Sequence, residues 1–101
     1  MGGQVIQQAP IGVGQTWQDV IASRALGTTY YNTTGRPIFV SVGCSGGTNL
    51  TQITINGIIV TQQNQSGLAA GLPQVFGVVP NGGSYIVSVT VGGLSVWTEL
   101  R

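Results

Sequence analysis

Ile53-Thr54-Ile55-Asn56-Gly57-Ile58-Ile59-Val60 sets two β-branched runs on either side of an Asn-Gly pair. In that setting Asn-Gly is the strongest short-range hairpin signal, because a type I′ turn needs positive φ at both central positions. A two-residue loop places Ile55 opposite Ile58 and Ile53 opposite Val60. Further strand-like segments flank this hairpin on both sides.

Downstream, Gln62 to Gly71 is polar and glycine-containing and reads as a long loop. Gln74 to Val79 reads as a strand, closed by the turn Pro80-Asn81-Gly82-Gly83. Tyr85, Val87, Val89 and Val91 then alternate with Ile86, Ser88 and Thr90, and Gly92-Gly93 reads as the turn of a last hairpin. That hairpin sets Val91 opposite Leu94, Val89 opposite Val96, Val87 opposite Thr98 and Tyr85 opposite Leu100. Trp97 then falls on the other face of the ribbon.

Upstream, Ser45 to Asn49 reads as a loop. Pro37 to Cys44 is a strand with Ile38, Val40, Val42 and Cys44 on one face and Phe39, Ser41 and Gly43 on the other. Asn32-Thr-Thr-Gly-Arg-Pro is a turn in which Gly35 supplies positive φ. Thr28 to Thr33 and Thr16 to Val20 are short strands, the second with Trp17 and Val20 as inward anchors. Ile21 to Gly27 is a loop or single turn, too short for a stable helix. Residues 1 to 11 form an N-terminal arm and residues 12 to 101 one domain. About eight short strands, with turn signals every 8–12 residues or so, predict an all-β chain: a small antiparallel β-sandwich, jelly-roll-like.

Composition narrows the function. Of 101 residues, 42% are hydrophobic but only 5% are charged, against about 25% in an ordinary domain. The five charges are Asp19, Arg24, Arg36, Glu99 and Arg101. A surface built from Thr, Ser, Asn, Gln and Gly lacks a common defence against edge-to-edge strand association. It favours a chain whose edges are covered by copies of itself or by a larger assembly, over a neutral monomer kept soluble by Gln and Asn. With no lysine and no basic run, nucleic-acid binding has little to rest on. No apolar run is long enough to insert in a membrane. No secretory signal is read at the N-terminus, so the sequons at Asn32, Asn49 and Asn64 carry little weight. The single cysteine, Cys44, reads as a buried free thiol.

Catalytic chemistry is scarce. Without histidine, a Ser-His or Cys-His nucleophile is impossible, and metal sites built on His or Cys clusters are excluded. Asp19 and Glu99 are the only carboxylates that could form a pair for glycoside hydrolysis; a structural role for each beside an arginine is the stronger reading. Asp19 and Arg24 are placed to bridge across the 21–27 segment, and Arg36 to pair with Asp19 or Glu99. No catalytic residue, metal or cofactor is expected.

Gly12-Val-Gly-Gln-Thr-Trp-Gln-Asp-Val, then Ser23-Arg-Ala-Leu-Gly-Thr-Thr-Tyr, Asn32-Thr-Thr-Gly-Arg-Pro-Ile and the ending Val96-Trp-Thr-Glu-Leu-Arg resemble a module of tailed-bacteriophage proteins. That module occurs at the C-termini of tail fibres and as small stand-alone phage proteins. The likeness runs from about residue 11 to 101, with Ser45 to Asn81 generic. It implies a non-enzymatic structural role in the virion, often as a homotrimer, alongside other virion proteins. It carries no binding residues with it.

Three functions are therefore expected in order: a tail-fibre-type protein that contributes to host-surface attachment, a capsid, collar or tail decoration protein with no receptor role, and a free carbohydrate-binding module. A host-surface glycan suits a neutral, aromatic-bearing surface. The contact loops proposed for it are Ser45 to Asn49 and Gln62 to Gly71, represented by Ser45, Thr48, Asn49, Gln63, Asn64 and Gln65, the long polar connections.

Overall fold

The structure is a computed structural model that describes residues 10–45, 49–65, 74–90 and 93–101, with backbone only at Ser45, Asn49, Asn64, Gln65 and Gly93. Most of the expected N-terminal arm, residues 1–9, lies outside the described residues. Eight strands follow in chain order: β1 (Trp17–Asp19), β2 (Tyr30–Tyr31), β3 (Ile38–Ser45), β4 (Asn49–Ile55), β5 (Ile58–Gln65), β6 (Gln74–Val79), β7 (Ser84–Val89) and β8 (Gly93–Leu100). One turn of 3-10 helix at Ile21–Ser23 follows β1. Two antiparallel four-stranded sheets result, one ordered β1-β8-β3-β6 and the other β2-β7-β4-β5. Every step from one strand to its neighbour in a sheet, apart from β4 to β5, joins strands distant in sequence. This is the two-sheet, eight-strand jelly-roll order.

The Asn56-Gly57 turn forms as its sequence requires, with φ 52° at Asn56 and 83° at Gly57, and Ile55 lies opposite Ile58. The next pair differs from expectation. Ile53 lies opposite Thr61 and Thr54 opposite Ile59, so Val60 is an extra residue in β5. Such a bulge bends the strand and increases its twist. β5 also runs on to Gln65, paired there with Asn49, so the first four residues of the expected 62–71 loop belong to a strand. The remainder of that loop, residues 66–71, lies outside the described residues.

The expected β7–β8 hairpin does not exist. β7 pairs with β2 and β4 in one sheet, and β8 with β1 and β3 in the other. Their apolar faces meet across the core instead of lying side by side. Residues 91 and 92, at the expected turn, lie outside the described residues. Trp97 is correspondingly buried, not on an outer face. A bulge explains why its phase misleads: β8 carries Ser95 as an extra residue, since Gly43 lies opposite Val96 but Cys44 opposite Leu94. Leu94 and Trp97 can then both point inward, although three residues apart in a regular strand would put them on opposite faces.

Between the sheets lie Val20, Ile38, Val40, Val42, Ile53, Ile55, Val75, Val79, Tyr85, Val87 and Trp97. The predicted inward face of β3 is thus the core face, and Cys44 is the expected buried free thiol, its Sγ 2.8 Å from Thr51 Oγ1 of the opposite sheet. Trp17 is the exception among the expected anchors, 54% exposed while Val20 is buried.

Candidate functional site

Glu99 is a buried carboxylate held by three side chains. It is 1% exposed, on the inner face of β8, where a bare carboxylate would be costly. Three side chains answer it. Arg24 donates from Nε to Oε2 at 3.1 Å and from Nη2 to Oε1 at 3.2 Å, a bidentate pair. Arg101 Nη1 donates to Oε1 at 2.7 Å, and the Tyr85 hydroxyl donates to Oε2. Trp97 Nε1 donates in turn to the Tyr85 oxygen at 3.2 Å. The Arg24 guanidinium also lies over the Tyr30 ring, 4.7 Å from its centroid, a cation–π contact.

The electrostatics follow from this arrangement. Burial pushes the Glu99 carboxyl up, but the hydrogen bonds from Arg24, Tyr85 and Arg101 outweigh it, and the net shift is downward. Burial pushes the Tyr85 phenol up and the bond to Glu99 adds to it, taking it well above the ordinary tyrosine range. For Arg24, burial works against the charge and Glu99 more than restores it, so its pKa rises. Each carboxylate oxygen accepts from two donors. The cluster ties the segment after β1, strands β7 and β8, and Arg101 into one unit, and its polar groups are engaged with one another.

The expected charge pairs are therefore corrected. Asp19 does not bridge to Arg24: its Oδ1 accepts from Ile21 N at 3.2 Å, and Arg24 has turned to the buried Glu99. Arg36 pairs with neither carboxylate. Its Nη2 donates to Pro10 O at 2.8 Å. Asp19 lies opposite Thr98 on β8, so it stands on the solvent face of the sheet while Glu99, one residue on, faces the core. The two carboxylates cannot flank a common cleft.

Two buried polar residues hold the N-terminal half in place, and the sequence reading misses both roles. Asn32 is 2% exposed. Its Nδ2 lies within reach of the carbonyls of Arg36, Val79 and Pro80 at 2.8, 3.0 and 3.1 Å, and its Oδ1 accepts from Thr34 N and Oγ1. Its backbone bonds Gly82 and Gly83. Asn32 thus joins the turn before β3 to the turn before β7, and it is inaccessible as a sequon. Gln15 accepts from Gly12 N at 2.6 Å and donates to Pro37 O at 2.9 Å, with Gly12 and Gly14 at φ 96° and 70°. An Asx-type turn signal at Asn32-x-Thr34 is the one available clue.

The proposed contact residues come to one end of the sandwich. Ser45 lies opposite Gly93 and Asn49 opposite Gln65, and the Cys44–Thr51 contact joins the two sheets beside them. Asn64 lies opposite Leu50. Gln63 acts structurally, since its Oε1 accepts from Gln74 N at 2.8 Å and ties β5 to the start of β6. Thr48 lies outside the described residues.

The outer face of the β1-β8-β3-β6 sheet carries a different feature. Register places Trp17, Leu100, Phe39 and Val78 in one row across all four strands. Trp17 packs edge-on to Phe39 at 5.8 Å between centroids, and Phe39 stacks on Phe76 at 5.7 Å. Phe76 is 57% exposed. Beside the next sheet edge, a shallow hollow of about 360 Å³ is lined by Ile59, Val60, Thr61 and Gln62. Among the described residues there is no cluster of His, Cys, Asp and Glu that could hold a metal ion, and no helix is long and apolar enough to cross a membrane. Comparison with protein-family models, with curated proteins and with solved structures finds no match to this chain.

Proposed function

We propose that this chain is a non-enzymatic structural protein of a bacteriophage virion, of the tail-fibre type, which assembles as a homotrimer and contributes to attachment at the host surface. The observation that carries the proposal is the neutral, apolar exterior: no charged residue falls between Arg36 and Glu99, while Trp17, Ile58, Ile59, Val60, Phe76 and Val78 stand exposed. Soluble monomers rarely leave contiguous apolar surface of more than a few hundred Å² uncovered. The jelly-roll order supports the reading only by analogy, since capsid and lectin domains share it.

The resembling motifs have structural roles in this fold. Gly12, Gly14 and Gln15 shape the entry to β1, Arg24 and Glu99 form the buried pair, and Asn32 locks two turns together. Attachment then belongs to the sandwich end where Ser45, Asn49, Asn64 and Gln65 converge. The test is saturable binding of the oligomeric protein to a panel of intact bacterial cells and to their isolated surface polysaccharides. Saturable binding to one of them is expected. Binding to phage particles alone would replace this function with a capsid, collar or tail decoration role, and sugar affinity in a strictly monomeric protein would point to a free carbohydrate-binding module.

A further inference from the structure

We propose that a hollow on the outer face of the β1-β8-β3-β6 sheet, centred on Gly43, seats one residue of a neutral saccharide; this rests on the attachment reading above and names its ligand class. The hollow encloses about 120 Å³ and is lined by Ser41 and Gly43 of β3, Gln74 of β6, and Ser95 and Val96 of β8. Register sets Gly43 between Gln74 and Val96, and Ser41 beside Phe76, so these residues share the solvent face. The Phe76 ring stands at the rim, backed by Phe39. The hollow adjoins the sandwich end where Ser45 lies opposite Gly93.

Gly43 marks the site. Every other glycine whose surroundings are described has a steric or backbone reason to be glycine. Gly12, Gly14, Gly27, Gly35, Gly57 and Gly82 have positive φ. A Cβ at Gly77 would stand 3.1 Å from Ile55 Cδ1, and one at Gly83 would stand 2.9 Å from Asn56 Oδ1. At Gly43 φ is not positive, and a Cβ would make only ordinary contacts, the nearest 3.6 Å from Val96 Cβ. The adjacent bulge does not demand it either, because the extra residue, Ser95, belongs to β8. Glycine inside a strand weakens it, and one of its uses is to let a ligand come close. Here the missing side chain leaves the floor of the hollow open.

The lining sets the ligand's chemistry. Two hydroxyls and a side-chain amide can each donate and accept hydrogen bonds. None of the lining residues is charged, so an ionic ligand would lose water without gaining a counter-charge. Val96 and the Phe76 ring, 57% exposed, add apolar contact beside the polar groups. A sugar residue matches both, with hydroxyls along its edge and an apolar C–H face for the ring. The volume is below the roughly 300 Å³ of a site that encloses a whole drug-sized ligand, so one sugar of a longer chain enters and its neighbour lies over Phe76. A peptide adding as a strand needs a free sheet edge, and β3 is paired on both sides, with β6 and β8.

Binding to a printed panel of neutral hexose and N-acetylhexosamine oligosaccharides tests this, with thermal melting of each variant. Wild type is expected to bind at least one of them saturably. Gly43→Val, which fills the floor, and Phe76→Ala should bind about tenfold more weakly or worse, while Tyr31→Ala, on the other sheet, should bind like wild type. Gly43→Ala should keep or raise the thermal midpoint; a marked fall would show that the fold needs the glycine and would overturn the site. Should Gly43→Val fail to fold, Gly43→Ala takes its place, with binding weakened about threefold or more. Folded Gly43 and Phe76 variants that bind like wild type overturn the site and leave the attachment reading intact. So does a wild type that binds intact cells but no saccharide of the panel, and a wild type that binds neither overturns both.

Discussion

Two guanidiniums and one phenol donate to the Glu99 carboxylate, and removing the charge leaves Arg24 without its counter-ion in a largely closed site. Glu99→Gln should lower stability by about 3–5 kcal/mol, the cost of breaking a buried pair on one side, measured by urea denaturation. The pH dependence has a definite sign. The folded pKa of Glu99 lies below its ordinary value of 4.5, so the unfolded chain takes up the proton first. The contribution of Glu99 is complete above about pH 4.5 and is lost as pH falls through the lower folded value. Wild type should weaken across that acid window, and Glu99→Gln should not show this component. Tyr85→Phe removes a donor to Glu99 and the acceptor for Trp97 Nε1, and should cost about 1–3 kcal/mol. Asp19→Ala, at an exposed side chain, should cost under about 1 kcal/mol, and a loss of several kcal/mol would restore the Asp19–Arg24 bridge. At this scale the sequence is a poor guide. It names the five charges but pairs Arg24 with Asp19 and Arg36 with Asp19 or Glu99, because the inward phase of β8 that makes Glu99 a core residue depends on strand partners that composition and spacing do not reveal.

Elements are more legible where a local rule acts alone. Asn56-Gly57 closes its hairpin because the two positive φ values are a local demand. Gly57 has open space where a Cβ would go, so Gly57→Ala should cost about 1–2 kcal/mol from backbone strain alone, read as a shift in the thermal midpoint with no change in the near-ultraviolet spectrum. Ile38 to Cys44 likewise declares its core face by strict alternation. Alternation says nothing of which sheet a strand joins, and so it cannot separate a β7–β8 ribbon from two facing strands: Tyr85 and Trp97 do meet, with ring centroids 6.3 Å apart, but across the sandwich. The extra residues Ser95 and Val60 shift the remaining registers, and no pattern of apolar residues marks a bulge. Trp17 has the size of an anchor, yet its row on β1 faces outward with Leu100 and Phe39.

For the molecule as a whole, fold class and strand count follow from turn spacing, while the candidate surfaces follow only from topology. Ser45 and Asn49 flank one connection between the sheets, and the β4–β5 hairpin brings Gln65 opposite Asn49 at the same end. Ile59 and Phe76 lie on the long edge strands β5 and β6, and register turns them to the outer faces of different sheets. That end and both edge strands are uncharged, since every charge lies near β1, the turn before β3, or the end of β8. A protein organised this way is expected to exist as copies in contact. Sedimentation equilibrium of the wild-type chain at micromolar concentration and neutral pH measures this directly. A single species of three times the 10.4 kDa chain mass is the predicted result, and a 10.4 kDa species that persists as concentration rises would contradict it.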